Sequence, residues 1–181
     1  MRRAMVVVAL IVAGCAAAPR ERFYTLDAPE PPAAADAAYS IALGPVSVPE
    51  LVDRPQFVVR VNANQVAIAE QARWAEPLKS AIARVVAANL AKELGARTQA
   101  RNGDADYRVL IDVQRFESTP GEAALLDAQW TVIGAKGARR SGRSLQREPV
   151  PGRDYDALAA AHSRALAAMS REIAAAIREQ K

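Results

Sequence analysis

Residues 106–116 read DYRVLIDVQRF, and the alternation within them decides the fold class. Tyr107, Val109, Ile111 and Val113 fall on one side, and Arg108, Asp112 and Gln114 on the other. That is the period of a strand with one buried face. Pro120-Gly121 marks a turn. Residues 122–135, EAALLDAQWTVIGA, alternate again, with Leu126, Ala128, Trp130 and Val132 on one face. Gly137 starts a second turn, and residues 138–148, ARRSGRSLQRE, read as a polar strand exposed on one side. The three runs predict an antiparallel meander.

Upstream the period changes. From about Trp74 to Leu94 the apolar residues Leu78, Ile82, Val85, Val86, Leu90 and Leu94 recur at helical spacing. Pro77 falls in the first turn, where a missing N–H does no harm, and Gly95 is a natural stop. Before this helix, QFVVRV (56–61) and QVAIA (65–69) flank Asn62-Ala63-Asn64, a hairpin signal. Ser40 to Val48 reads as a strand interrupted at Gly44-Pro45, where a missing donor calls for an edge or a bulge. After the meander, Asp154 is a good N-cap for a last helix. Its buried stripe is Tyr155, Leu158, His162, Ala165, Leu166, Met169, Ile173 and Ile177. The expected fold is α+β: a mainly antiparallel sheet with two long helices packed on one face, a two-layer sandwich.

The N-terminus has a different character. Met1-Arg2-Arg3 is a positive start, Met5 to Val12 is a short apolar run, and Val12-Ala13-Gly14-Cys15 follows. This is the layout of a secretory leader, too short to span a bilayer as a stable helix. A cysteine directly after Ala-Gly forms a lipobox. We read residues 1–14 as a signal peptide and Cys15 as the lipid-bearing N-terminus. It is the only cysteine, so it has no disulfide partner within the chain. Ala16 follows it, where Asp is the familiar Gram-negative signal for inner-membrane retention; its absence favours the outer membrane.

Residues 15–38 are read as lipidated cysteine, tether and a Pro/Ala-rich stretch, and 39–181 as the folded domain. Phe23-Tyr24-Thr25-Leu26 has strand composition and is expected to dock. About seven tether residues then remain, roughly 23 Å at full stretch.

Removing the leader leaves 167 of 181 residues and lowers the formal charge from +4 to +2, because Arg2 and Arg3 go with it. That length suits one domain. The basic cluster Arg139, Arg140, Arg143 and Arg147 is interleaved with Gly and Ser, and reads as a solvated strand face. No basic block points to nucleic acid. One histidine and one cysteine give too few ligands for zinc. His162 sits on an apolar helix stripe and reads as a core residue. Asp104 and Asp106 read as a turn with solvated carboxylates. There is no nucleophile elbow and no phosphate-binding glycine loop. The residues favour a binding or structural role over an enzyme, with no cofactor beyond the covalent lipid on Cys15.

Several blocks then match a known family. They are the lipobox, Phe23–Leu26, Ile41-Ala42-Leu43-Gly44-Pro45-Val46-Ser47-Val48-Pro49, Leu51-Val52-Asp53-Arg54-Pro55-Gln56, Arg73-Trp74-Ala75-Glu76-Pro77-Leu78, Asn89-Leu90, and Asp154-Tyr155. Their order and spacing resemble the PqiC family of ABC-type transport auxiliary lipoproteins, from Cys15 to about Ile177. Arg139 to Arg147 carries no block of that family.

The resemblance implies a non-enzymatic periplasmic lipoprotein serving envelope lipid transport and membrane integrity. Its partners would be an inner-membrane transport component and a protein with mammalian-cell-entry (MCE) domains, and a ring-like homo-oligomer is implied as plausible. The docking residues would be Leu51, Asp53, Arg54, Pro55 and Gln56, with Trp74. Asp53-Arg54-Pro55 is equally well read as shaping a turn. The alternative function is a general outer-membrane scaffold engaging cell-wall synthesis; a hydrolase is a third.

Overall fold

The computed structural model describes residues 20–30, 40–100 and 105–180. The leader, Cys15, most of the tether, residues 31–39 and Asp104 lie outside the described residues.

The chain forms β1 (Arg22–Tyr24), β2 (Ser40–Ser47), β3 (Gln56–Asn62), β4 (Gln65–Trp74), helix α1 (Leu78–Leu94), β5 (Arg97–Ala100), β6 (Tyr107–Thr119), β7 (Ala123–Gly134), β8 (Arg139–Pro149) and helix α2 (Tyr155–Arg178). The eight strands make one sheet. Both helices pack on it and on each other.

The meander is as expected. β6, β7 and β8 pair antiparallel along nearly their whole length, from Tyr107↔Gly134 to Thr119↔Ala123 and from Ala123↔Pro149 to Ile133↔Arg139. The β3–β4 hairpin also pairs antiparallel. The other pairings correct the expectation of a mainly antiparallel sheet. β1 runs parallel to β4, β2 parallel to both β5 and β6, and β3 parallel to β6. Four of the seven pairings are therefore parallel, and the sheet is mixed. Strand period tells which face is buried but not which distant strand lies alongside.

One edge of β6 is shared. Its first half, Tyr107 to Asp112, takes β2, and Ser118 near its end takes β3 at Val59. The chain leaves β6 after Ser47, turns through residues 48–55, and returns beside the same strand.

Gly44-Pro45 does make a bulge: the β2 register shifts between Leu43 and Val46. A Cβ on Gly44 would lie 2.3 Å from Leu110 Cδ2, so only glycine fits there without displacing that side chain. β5 was not expected from the sequence. The first helix begins at Leu78, not Trp74, because β4 runs on through Trp74 and Pro77 is the last residue before the helix. Gly95 ends it with φ 60°, the left-handed cap that glycine adopts freely. Asp154 caps α2, accepting from the Ala157 N–H at 2.8 Å.

The core lies between the sheet and the helices. Val109, Ile111, Leu126, Val132 and the α2 stripe Leu158, Leu166, Met169, Ile173, Ile177 are almost wholly buried. Phe23–Leu26 docks as expected, and Leu26 is fully buried. Arg84 of α1 donates to the Leu26 carbonyl at 2.9 Å and to Thr25 Oγ1 at 3.0 Å. Ser163 of α2 accepts from the Asp27 N–H at 2.9 Å. The sheet therefore includes residues upstream of position 39.

Candidate docking surface

The turn from Pro49 to Pro55 closes on itself. The Val52 and Asp53 N–H groups donate to the Pro49 carbonyl at 3.0 and 3.2 Å. Val52 points into the core, whereas Leu51 is 45% exposed. Asp53 is exposed and pairs with Lys79 in the first turn of α1 at 2.7 Å. Arg54 is half-buried, and its Nε is enclosed without a partner. Pro55 is exposed, and its carbonyl accepts from the Trp74 N–H at 2.7 Å. Gln56 opens β3 opposite Arg73. The structure thus brings the five turn residues and Trp74 into one neighbourhood.

Trp74 is only 6% exposed. Its indole stacks on Phe57 at 4.0 Å, and Phe57 meets Tyr24 at 5.4 Å and Tyr155 at 5.2 Å. Phe116 lies 6.2 Å from Trp74 on the other side and stacks on His162 at 3.7 Å. Trp74 therefore supports the turn from beneath. A cavity of about 10 Å³ lies among Val52, Gln56, Phe57, Trp74 and Phe116, room for about one water.

Sequence reasoning missed Phe23. The strand docks as its composition predicts, yet Phe23 itself stays 63% exposed. It stands level with Arg73, which stands level with Gln56, so the three form a row across β1, β4 and β3. Arg73 is held by Glu21 at 2.8 Å. The signal that could have found Phe23 is alternation with Tyr24, since neighbours on a strand face opposite ways. The turn offers Leu51, Asp53 and Pro55 to solvent, and Phe23 is exposed on β1, level with Gln56 across β4.

Elsewhere many charged side chains pair with neighbours. Across the sheet face away from the helices, Arg60 and Arg115 hold Glu117 at 3.0 and 2.9 Å, and Arg143 forks onto Asp127 at 2.7 Å. Arg115 and Arg143 hold the Glu117 and Asp127 carboxyls below their usual range. Arg147 reaches Glu122 at 3.8 Å, and Arg140 pairs with Glu179. Arg143 and Arg147 thus lie on the face away from the helices, Arg143 on the buried Asp127, while Arg140 reaches the end of α2 from the other face. Asp106 does more than face solvent: it accepts from the Ser40 N–H at 2.7 Å and its hydroxyl at 3.0 Å, pinning β2 to β6. Those bonds lower its pKa.

His162 is wholly buried and shares a 2.9 Å hydrogen bond with Ser118 through Nε2. Nδ1 has no partner to orient the ring, and burial pushes its pKa down to about 3. A serine–histidine pair enclosed in this way has no route to a substrate. Among the described residues no three His, Cys, Asp or Glu converge as a metal site. None of the described helices is long and apolar enough to cross a membrane.

Residues 24–174 match the family described as ABC-type transport auxiliary lipoprotein component. The chain belongs to that family. Membership bears out the PqiC-like resemblance and carries a coarse role: an auxiliary lipoprotein component of an ABC-type transport system at the cell envelope. The family is one of transport auxiliaries, not of enzymes.

Two solved structures share the fold. One, of an uncharacterised protein, has a TM-score of 0.76 and 19% identity, over 87% of this chain and 99% of that one. The other, a protein from Xanthomonas campestris, has a TM-score of 0.62 and 22% identity, over 84% of this chain and 92% of that one. Among curated proteins nothing matches.

Proposed function

We propose that this auxiliary is an outer-membrane lipoprotein, acylated at Cys15, that holds the far end of an MCE-type lipid-transport assembly from the periplasmic side and thereby supports membrane integrity. The observation that carries the reading is the family match over residues 24–174, taken with the lipobox Val12-Ala13-Gly14-Cys15 just upstream. Each buried methylene adds about 0.8 kcal/mol of membrane affinity, so several acyl chains make a lasting anchor. Ala16 favours the outer membrane.

The docking residues are Leu51, Asp53, Arg54, Pro55 and Gln56, with Trp74 bracing the turn beneath them. Exposed apolar side chains on a rigid turn suit a protein partner that covers them. Other copies of this chain in a ring-like homo-oligomer, an inner-membrane transport component and an MCE-domain protein are the partners proposed.

The test is crosslinking in the native envelope followed by purification of the acylated chain. An MCE-domain protein should co-purify, and Leu51→Asp should reduce its yield while the fold survives. Recovery of cell-wall synthases with no MCE-domain protein would replace this reading with the scaffold one. Separately, Cys15→Ala should leave an uncleaved or soluble product; a mature, membrane-bound Cys15→Ala chain would remove the anchor from the account.

A further inference from the structure

We infer that the tip of the β3–β4 hairpin rests on the lipid leaflet that holds the anchor. This rests on the proposed acylation of Cys15. It adds the pole of the molecule that faces the membrane, and the residues that touch it.

The first support is direction. β4 starts at the hairpin turn and runs away from it, and β1 is parallel to β4 with Arg22 level with Ala72. The upstream end of β1 therefore faces back toward the tip. The second is reach. Residues 15–21 are seven in number, and so are Gln65–Gln71, the part of β4 between the turn and that level. At about 3.3 Å per residue both spans are roughly 23 Å. The chain upstream of β1 is long enough to bring Cys15 level with the hairpin turn, and no longer.

The third support is chemistry. Val61, next to the turn, is 55% exposed, and Ile68 is 41% exposed. Ala67 between them is exposed too, and the turn residues Asn62, Ala63, Asn64 and Gln65 carry no charge. The nearest cation, Arg60, is turned back onto the Ala63 carbonyl at 3.1 Å and onto Glu117 at 3.0 Å. An uncharged, apolar edge with amide groups at its rim suits the boundary of headgroups and acyl chains, which interfacial segments enter by about 5–10 Å. β3 runs parallel to β6, so the β6–β7 turn, with exposed Glu122, shares this pole, and the β7–β8 turn, with exposed Lys136, lies at the far end.

The acylated full chain, carrying Ala63→Cys or Lys136→Cys, tests this in phosphatidylethanolamine–phosphatidylglycerol vesicles. The acylated Cys15 is blocked, so the new thiol alone takes a fluorophore, and spin-labelled lipids serve as quenchers. Quenching at position 63 should exceed that at 136 by about twofold or more, as a tip within the interface requires. Val61→Asp should lower the signal at position 63 while the chain stays on the vesicles. Equal quenching at the two poles, on a chain that does partition, overturns the hairpin contact and leaves the anchor standing. A chain that fails to partition removes the anchor and this contact with it.

Discussion

His162 is an ionisable ring closed off from solvent. Its Nε2 bonds Ser118, and among the described residues its Nδ1 has no partner. Burial lowers its folded pKa to about 3, whereas the unfolded chain keeps the ordinary value near 6.5. The unfolded state then binds a proton that the folded state refuses, so stability is full above pH 6.5 and falls as the pH drops toward 3. The slope approaches about 1.4 kcal/mol per pH unit inside that window. Urea unfolding at a series of pH values checks this, with His162→Leu as the comparison; parallel curves for the two chains would contradict the account. The apolar stripe already placed this histidine inside. Its bond to Ser118 was not legible, because residues 44 positions apart meet only through the tertiary fold.

Two glycines give a second test at this scale. Gly142 sits opposite Trp130, and a Cβ there would lie 2.3 Å from the indole, so Gly142→Val should cost about 1–3 kcal/mol through overpacking. Gly137 has open space around its Cβ position but φ +81°, so Gly137→Ala should cost about 1 kcal/mol through backbone strain alone. Thermal melts of the two variants separate the mechanisms, because a valine at 142 should also disturb tryptophan fluorescence.

At the scale of elements, β1 is only three residues long, and of these the half-buried Tyr24 packs against the core. Leu26 beyond it is fully buried; Arg84 of α1 holds its carbonyl, and Ser163 of α2 holds the N–H of the next residue, Asp27. Leu26→Ala should destabilise the domain by about 2–5 kcal/mol, as a central core leucine would. Trp74→Ala should cost about 3–5 kcal/mol and loosen the 49–55 turn. Asp53→Ala, which breaks only an exposed ion pair with Lys79, should change stability by less than about 1 kcal/mol. If Asp53→Ala weakens partner capture without moving the denaturation midpoint, the turn acts as a contact; if capture is unchanged, Asp53 is not part of the docking surface.

The elements differed in legibility for a physical reason. Residues 106–148 show a clean two-residue period with turn chemistry between runs, and antiparallel neighbours joined by short turns are the local solution. β5 comes directly after the α1 cap and spans four residues, too few to show a period. The helical stretch, read as starting at about Trp74, in fact starts at Leu78, because the Pro55 carbonyl takes the Trp74 N–H and keeps that residue in the strand.

At the scale of the whole molecule, the parallel pairings decide the shape. β2 and β3 share one edge of β6, which makes the 48–55 connection the crossing between them and puts the candidate docking turn there. None of this shows in composition, because parallel partners are set by contacts between distant segments. The family blocks carried what the period could not: they singled out Leu51–Gln56 and Trp74, which the fold brings together. Deleting residues 16–19 from the full chain should leave folding intact, since the match and the sheet both begin downstream, and should draw the body closer to its leaflet. Limited proteolysis of intact cells' envelopes should then cut the shortened tether more slowly; equal rates would contradict a tether that sets the spacing.

The parallel run of β1 beside β4 also has a mechanical consequence. A pull on the N-terminus, such as a drifting bilayer would exert, acts along the strand axis. The β1–β4 bonds at Ala72, Arg73 and Trp74 then carry the load together in shear, not one after another as in a peeled hairpin. The Arg84 grip on the Leu26 carbonyl lies downstream in the same line of force. A short strand placed this way lets a small domain bear tension from its leash without unravelling from its first residue.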